Sequence, residues 1–121
     1  MKKGNSLLIA CMLVGCFLSG CGDTLLVVRT PLEADQYLRN NIEELEFDSF
    51  EHMVSRDSGV TEKEFIELQR VIRENDQTRY IMIEEELFRF NIDGELLYYT
   101  IWTMDKQEQS LKLDTLTIAP Q

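Results

Sequence analysis

Three cysteines, Cys11, Cys16 and Cys21, lie near the N-terminus, and no cysteine follows them. Two of them close tetrads of one pattern, Leu13-Val14-Gly15-Cys16 and Leu18-Ser19-Gly20-Cys21. Sulfur is the side-chain nucleophile suited to forming a stable thioether. Small residues ahead of it let an extended backbone enter a protease. Elsewhere the chemistry is sparse. His52 is the only histidine. As a catalytic base it would need a nucleophile and an orienting partner, and no local motif supplies them. One imidazole without a free thiolate makes a poor zinc site. The acidic run Glu84-Glu85-Glu86, taken as strand, places Glu85 on the face opposite the other two and has no EF-hand spacing. It reads as a solvated strand that also discourages edge pairing. No phosphate loop, nucleophile elbow or nucleotide fingerprint occurs. No catalytic residue, metal ligand or cofactor is therefore assigned, and the chain reads as non-enzymatic.

The cysteines sit in a targeting context. Lys2 and Lys3 precede an apolar run from Leu7 to Leu18, too short for a bilayer span of about 20 residues. This region resembles the signal peptide of bacterial lipoproteins, whose lipobox is an aliphatic residue, a small residue, Gly or Ala, then Cys. The resemblance implies a diacylglyceryl group on the cysteine sulfur, palmitate-type acylation, and signal peptidase II cleavage between Gly20 and Cys21. Cys21 is preferred to Cys16 because cleavage there leaves Gly22-Asp23-Thr24, a wet tether, at the new start. Cleavage at Cys16 would expose Phe17 and Leu18 and shorten the apolar run.

Removing residues 1–20 takes Lys2 and Lys3 from the twelve bases and none of the twenty-two acids. The remaining 101 residues carry a net charge of −12, enough for one small domain without disulfides. Such a surface repels phosphate backbones and anionic head groups. Nucleic acid is thus excluded as a partner, and the membrane is held through the lipid alone. The expected location is the extracytoplasmic face of the cell membrane.

The expected divisions are residues 1–20 as signal peptide, 21–30 as lipidated cysteine and tether or first strand, and 31–121 as a single domain. Leu25-Leu26-Val27-Val28 is either a strand of that domain or an apolar patch on the bilayer. Thr30-Pro31-Leu32-Glu33 has the cap, first-position proline and third-position glutamate of a helix start. Leu38, Ile42 and Leu45 follow at helical spacing. A second cap at Asp48-Ser49 leads a short helix with Phe50, Met53 and Val54, broken at Ser58-Gly59. Thr61-Glu62-Lys63-Glu64 is a capping box ahead of Phe65, Leu68, Val71 and Ile72.

From Tyr80 the chain favours strand. One strand runs through Phe90, Asp93-Gly94 turns it, Leu96 to Met104 returns, and Leu111 to Ile118 follows a polar loop. The leucines of the last strand change parity, which predicts a bulge near Asp114-Thr115. A tight turn at Asp93-Gly94 pairs Phe90 with Leu97 and Phe88 with Tyr99, the latter two expected in the core. Tyr98 and Trp102 take the other face. They are the candidate partner surface, or else a second apolar layer.

Helices first and an antiparallel meander after them define an α+β class: two to three helices packed on a curved β-meander. This order is similar to that of small lipoproteins with cystatin-like or NTF2-like ectodomains, in which a helix like "EADQYLRNNIEELEFDSF" and a later one like "TEKEFIELQRVI" precede the sheet. The resemblance implies an anchored protein acting by contact with another membrane or surface protein. Alternatives are an exclusion or immunity-type inhibitor of a mobile element, or a small-ligand-binding NTF2-like domain.

Overall fold

The computed structural model describes residues 27–120. Gly20, Cys21, Leu25 and Leu26 lie outside the described residues. Three helices, α1 (Pro31–Asn41), α2 (Phe47–Glu51) and α3 (Glu62–Glu74), precede four strands: β1 (Thr78–Ile83), β2 (Glu86–Asn91), β3 (Leu96–Asp105) and β4 (Ser110–Ile118). The strands form one antiparallel meander in the order β1-β2-β3-β4. The class is α+β, as the element order predicts.

Local signals set the helices. Thr30 Oγ1 accepts the amide of Glu33 at 3.0 Å, but the Glu33 carboxylate accepts from Arg29 N–H, one residue before the cap. At α3 the capping box is reciprocal: Glu64 N–H donates to Thr61 Oγ1, and Thr61 N–H donates to Glu64 Oε1. Phe65, Leu68, Val71 and Ile72 then line one buried stripe. Gln69 on α3 donates to the Ile42 carbonyl at 2.8 Å and so satisfies the end of α1.

The short second helix departs from expectation. It begins at Phe47 behind Glu46 rather than behind Asp48-Ser49, and it ends at Glu51. Met53 and Val54 leave the helix to run beside β4. Leu113 N–H donates to Met53 O at 2.7 Å, and Ser55 N–H donates to Leu113 O at 2.8 Å, with a parallel bridge between Val54 and Leu113. An edge strand's open peptide groups attract such cover. Val28 does the same: its carbonyl accepts from Leu111 N–H, and its amide donates to Ser110 Oγ. Val28 is thus a buried, packed residue rather than a bilayer contact, while Val27 is exposed.

The helices cover one face of the sheet. Phe50, Leu38, Ile42 and Leu68 meet Trp102 and Leu113 in a single core, within which Phe47, Phe50 and Phe65 form an aromatic trio. The predicted bulge is present: Ile101 pairs with Thr115 and Trp102 with Leu113, leaving Asp114 between them.

Two turns differ from expectation. Glu84-Glu85 is itself a two-residue hairpin loop closing on the pair Ile83 and Glu86, so the expected single strand is two. Glu84 takes φ 55°, the left-handed region, at a cost of about 1–2 kcal/mol for a residue with a Cβ. At Asp93-Gly94 the loop holds three residues, not two: Asn91 N–H donates to Glu95 O, with Gly94 at φ 86°. Phe90 consequently faces Leu96, and a bulge at Leu97 restores the pairs Arg89 with Tyr98 and Phe88 with Tyr99.

Candidate functional site

The sequence assigns the two sheet faces the wrong way round. Tyr98 and Trp102, the candidate partner surface, are both 0% exposed. Phe88 and Tyr99, expected in the core, instead stack on the outer face with ring centroids 4.9 Å apart and planes 9° apart. The alternation along each strand is as read. What decides the faces is the polar chemistry that the helices bring to the inner one.

That chemistry centres on Asp35 of α1, which is fully buried. Arg89 of β2 donates from Nε to Asp35 Oδ2 at 2.8 Å, and its Nη2 lies 2.7 Å from the same oxygen. The Tyr98 hydroxyl donates to Asp35 Oδ1 at 2.7 Å. Arg89 Nη1 reaches on to Thr78 Oγ1 of β1 at 3.0 Å, and its guanidinium lies over the Tyr80 ring. Burial pushes the Tyr98 hydroxyl above the ordinary tyrosine range, the Asp35 carboxylate adds to the rise, and Arg39 opposes it. Both Asp35 oxygens are thus satisfied within the interior, one by Arg89 and one by Tyr98. The evident role of this cluster is to fix α1 against β2 and to hold β1 in place through Thr78. Trp102 is likewise consumed internally, donating from Nε1 to Thr100 Oγ1 at 2.9 Å.

Asp35 and Arg89 are absent from the sequence-based assignment, although a signal exists. Asp35 lies three and seven residues before Leu38 and Ile42, on the apolar stripe of its own helix. A carboxylate in that position needs a buried cation.

His52 caps the C-terminal end of α2 and is exposed. It borders an open groove of about 680 Å³ between α2 and the β3–β4 hairpin. Lys112 crosses that groove, donating to the His52 carbonyl and pairing with Glu108, each at 2.6 Å. Among the described residues, no hydroxyl or carboxylate hydrogen-bonds the His52 imidazole, and no three His, Cys, Asp or Glu side chains gather as metal ligands. The run Glu84-Glu85-Glu86 is spread over a turn and a strand start rather than along one strand.

The accessible apolar surface lies on the first strand. Tyr80, Ile81, Met82 and Ile83 are each between 41% and 56% exposed, and Ile92 and Leu96 at the next turn are exposed as well. Ile81 continues across the outer face through Phe88 and Tyr99. The β1 edge opposite β2 has no neighbour among the described residues.

No protein-family model matches this chain, and neither a curated protein nor a solved structure matches it. Among the described residues, no helix is long and apolar enough to cross a membrane.

Proposed function

We propose that this chain is a lipoprotein, anchored through Cys21 at the extracytoplasmic face of the cell membrane, that acts by non-catalytic contact with another membrane or surface protein. The observation that carries the contact role is the row of exposed apolar side chains along β1, Tyr80 to Ile83, with Ile92 and Leu96 exposed at the β2–β3 turn. Exposed apolar side chains along an edge strand of an acidic domain mark an interaction site. The buried Asp35, Arg89 and Tyr98, by contrast, bond one another. The lipobox Leu18-Ser19-Gly20-Cys21 supports the anchor. Five residues separate Cys21 from Val27, at most about 20 Å of extended chain, so the domain stays near the bilayer.

A plain four-stranded meander with helices on one face supports the cystatin-like comparison over the NTF2-like one. The small-ligand alternative draws no support from the helix–sheet interface, where Trp102, Phe50 and Leu68 are fully buried against each other's neighbours.

Two measurements test the reading. Mass spectrometry of the mature N-terminal lipopeptide is expected to begin at Cys21, and Cys21→Ala is expected to abolish lipid labelling while leaving the domain folded. A chain beginning at Cys16, or one lipidated without Cys21, overturns the anchor. Photo-crosslinkers at Ile92 and Leu96 are expected to capture a discrete membrane or surface protein in intact cells. Absence of crosslinks from every exposed apolar position overturns the contact role.

A further inference from the structure

We propose that β1 is a strand-addition site whose occupant is an extended segment of a second protein, apolar at alternate positions and basic at the end beside Glu84–Glu86. This rests on the protein-contact role above and names its surface. The backbone argument comes from register. A two-residue loop closing on Ile83 and Glu86 makes that pair hydrogen-bonded, and the alternation then ties Ile81 and Arg79 to β2 as well. The peptide groups of Thr78, Tyr80 and Met82 therefore point away from the sheet, at the free edge. They are presented without the usual protections: β1 has no proline and no bulge, its six-pair register with β2 is continuous, and Arg79 is its only charge. The strand is also held rigid, because Arg89 fastens Thr78 and Tyr80 to the buried Asp35. A preordered edge loses little entropy on pairing.

Side chains and charge select the occupant. Ile81 and Ile83 share the outer face, where the apolar surface continues through Phe88 and Tyr99, so an added strand is favoured when the alternate side chains on that face are apolar. At the loop end it meets Glu84, Glu85 and Glu86, which favour Lys or Arg opposite them. A second copy of this chain fits less well, since after removal of residues 1–20 each copy carries a net charge of −12. The bilayer fits less well too. Val28, to which the tether leads in sequence, lies on the β4 edge, three strand spacings or about 14 Å from β1.

The test uses the full lipidated chain in phosphatidylcholine nanodiscs and a ten-residue synthetic peptide of alternating valine and threonine with three lysines at one end. Amide exchange at Thr78, Tyr80 and Met82 is expected to slow at least tenfold on binding. A peptide with glutamates in place of the lysines is expected to bind at least tenfold more weakly. Met82→Pro removes an outward N–H that no sheet bond uses, and it is expected to abolish binding. Glu85→Lys combined with Glu86→Lys is expected to reverse the preference between the two peptides. Ile66→Lys on the exposed side of α3 is expected to change nothing.

Equal binding of the two peptides, or binding that survives Met82→Pro, overturns the proposal. So does protection of these amides that rises with protein concentration alone, which assigns the edge to a second copy. Protection by added vesicles alone assigns it to the membrane and overturns it equally. A crosslink to a partner from Ile92 or Leu96 that persists when β1 binds no peptide overturns the edge while leaving the contact role standing.

Discussion

β4 and β1 are both terminal strands of one sheet, and the chain treats them differently. The β4 edge is closed twice, by Val28 at Ser110-Leu111 and by Met53 to Ser55 at Leu113. Its side chains are correspondingly buried from Ser110 to Leu113. Among the described residues the β1 edge has no such cover, and five of its six residues are exposed. Unpaired strand edges are an aggregation hazard that folded proteins ordinarily blunt. Among the described residues one edge is covered and the other is bare and apolar, the contrast on which the proposed strand addition rests. Arg89 ties β1 to the interior, since it spans from the buried Asp35 of α1 to Thr78.

The largest effect is expected at that connection. Asp35→Ala strands the Arg89 guanidinium in the interior and is expected to cost about 3–5 kcal/mol, read by urea unfolding. Hydrogen exchange in the same variant is expected to show β1 losing protection before β4. Simultaneous loss at both edges would mean that Arg89 does not order β1 in particular. Next is Ser110→Ala on the covered edge. It leaves the buried Val28 amide without its acceptor and is expected to cost about 1–3 kcal/mol. A cost near zero would show that Val28 contributes little to closing that edge.

A third prediction concerns pH. Tyr98 is held neutral in the fold at pH values where an unfolded tyrosine ionises. Its contribution is complete below about pH 10 and is lost as pH rises from there towards the folded-state value. Wild-type stability is therefore expected to fall more steeply than that of Tyr98→Phe above about pH 10, by about 1.4 kcal/mol per pH unit. Parallel curves in thermal or urea unfolding would contradict the burial of this hydroxyl against Asp35. The smallest effect is expected on the bare edge: Ile81→Lys is expected to alter stability by less than about 0.5 kcal/mol. A loss comparable to that of Ser110→Ala would show that Ile81 is a packing residue and erase the contrast between the edges.

The elements themselves were largely legible because their signals are local. Thr30 with Pro31 and Thr61 with Glu64 start helices through hydrogen bonds three residues long. The parity change along Leu111, Leu113, Leu116 and Ile118 marks the bulge at Asp114 without reference to any other strand. Glu84-Glu85 was not legible as a turn, since it lacks the glycine, asparagine or aspartate that a left-handed residue ordinarily signals. The termination of α2 at Glu51 was hidden for another reason. Met53 and Val54 fit a helical stripe equally well, and pairing with Leu113 across the fold decided their conformation.

The sequence by itself determined the order of helices and strands and the alternation within each strand. All of these depend on residues a few positions apart. Which face of the sheet is buried was decided only by tertiary structure. Both parities of β2 and β3 carry large apolar side chains, Leu87 and Trp102 on one side and Phe88 and Tyr99 on the other. Hydrophobicity therefore does not choose between them. Asp35 chooses: a buried carboxylate requires Arg89 and Tyr98 within hydrogen-bond reach, and those two residues lie on the Trp102 side. Pairing across 54 and 63 residues of chain is a property of the folded arrangement, and it turns Tyr98 and Trp102 inward and leaves β1 as the open surface.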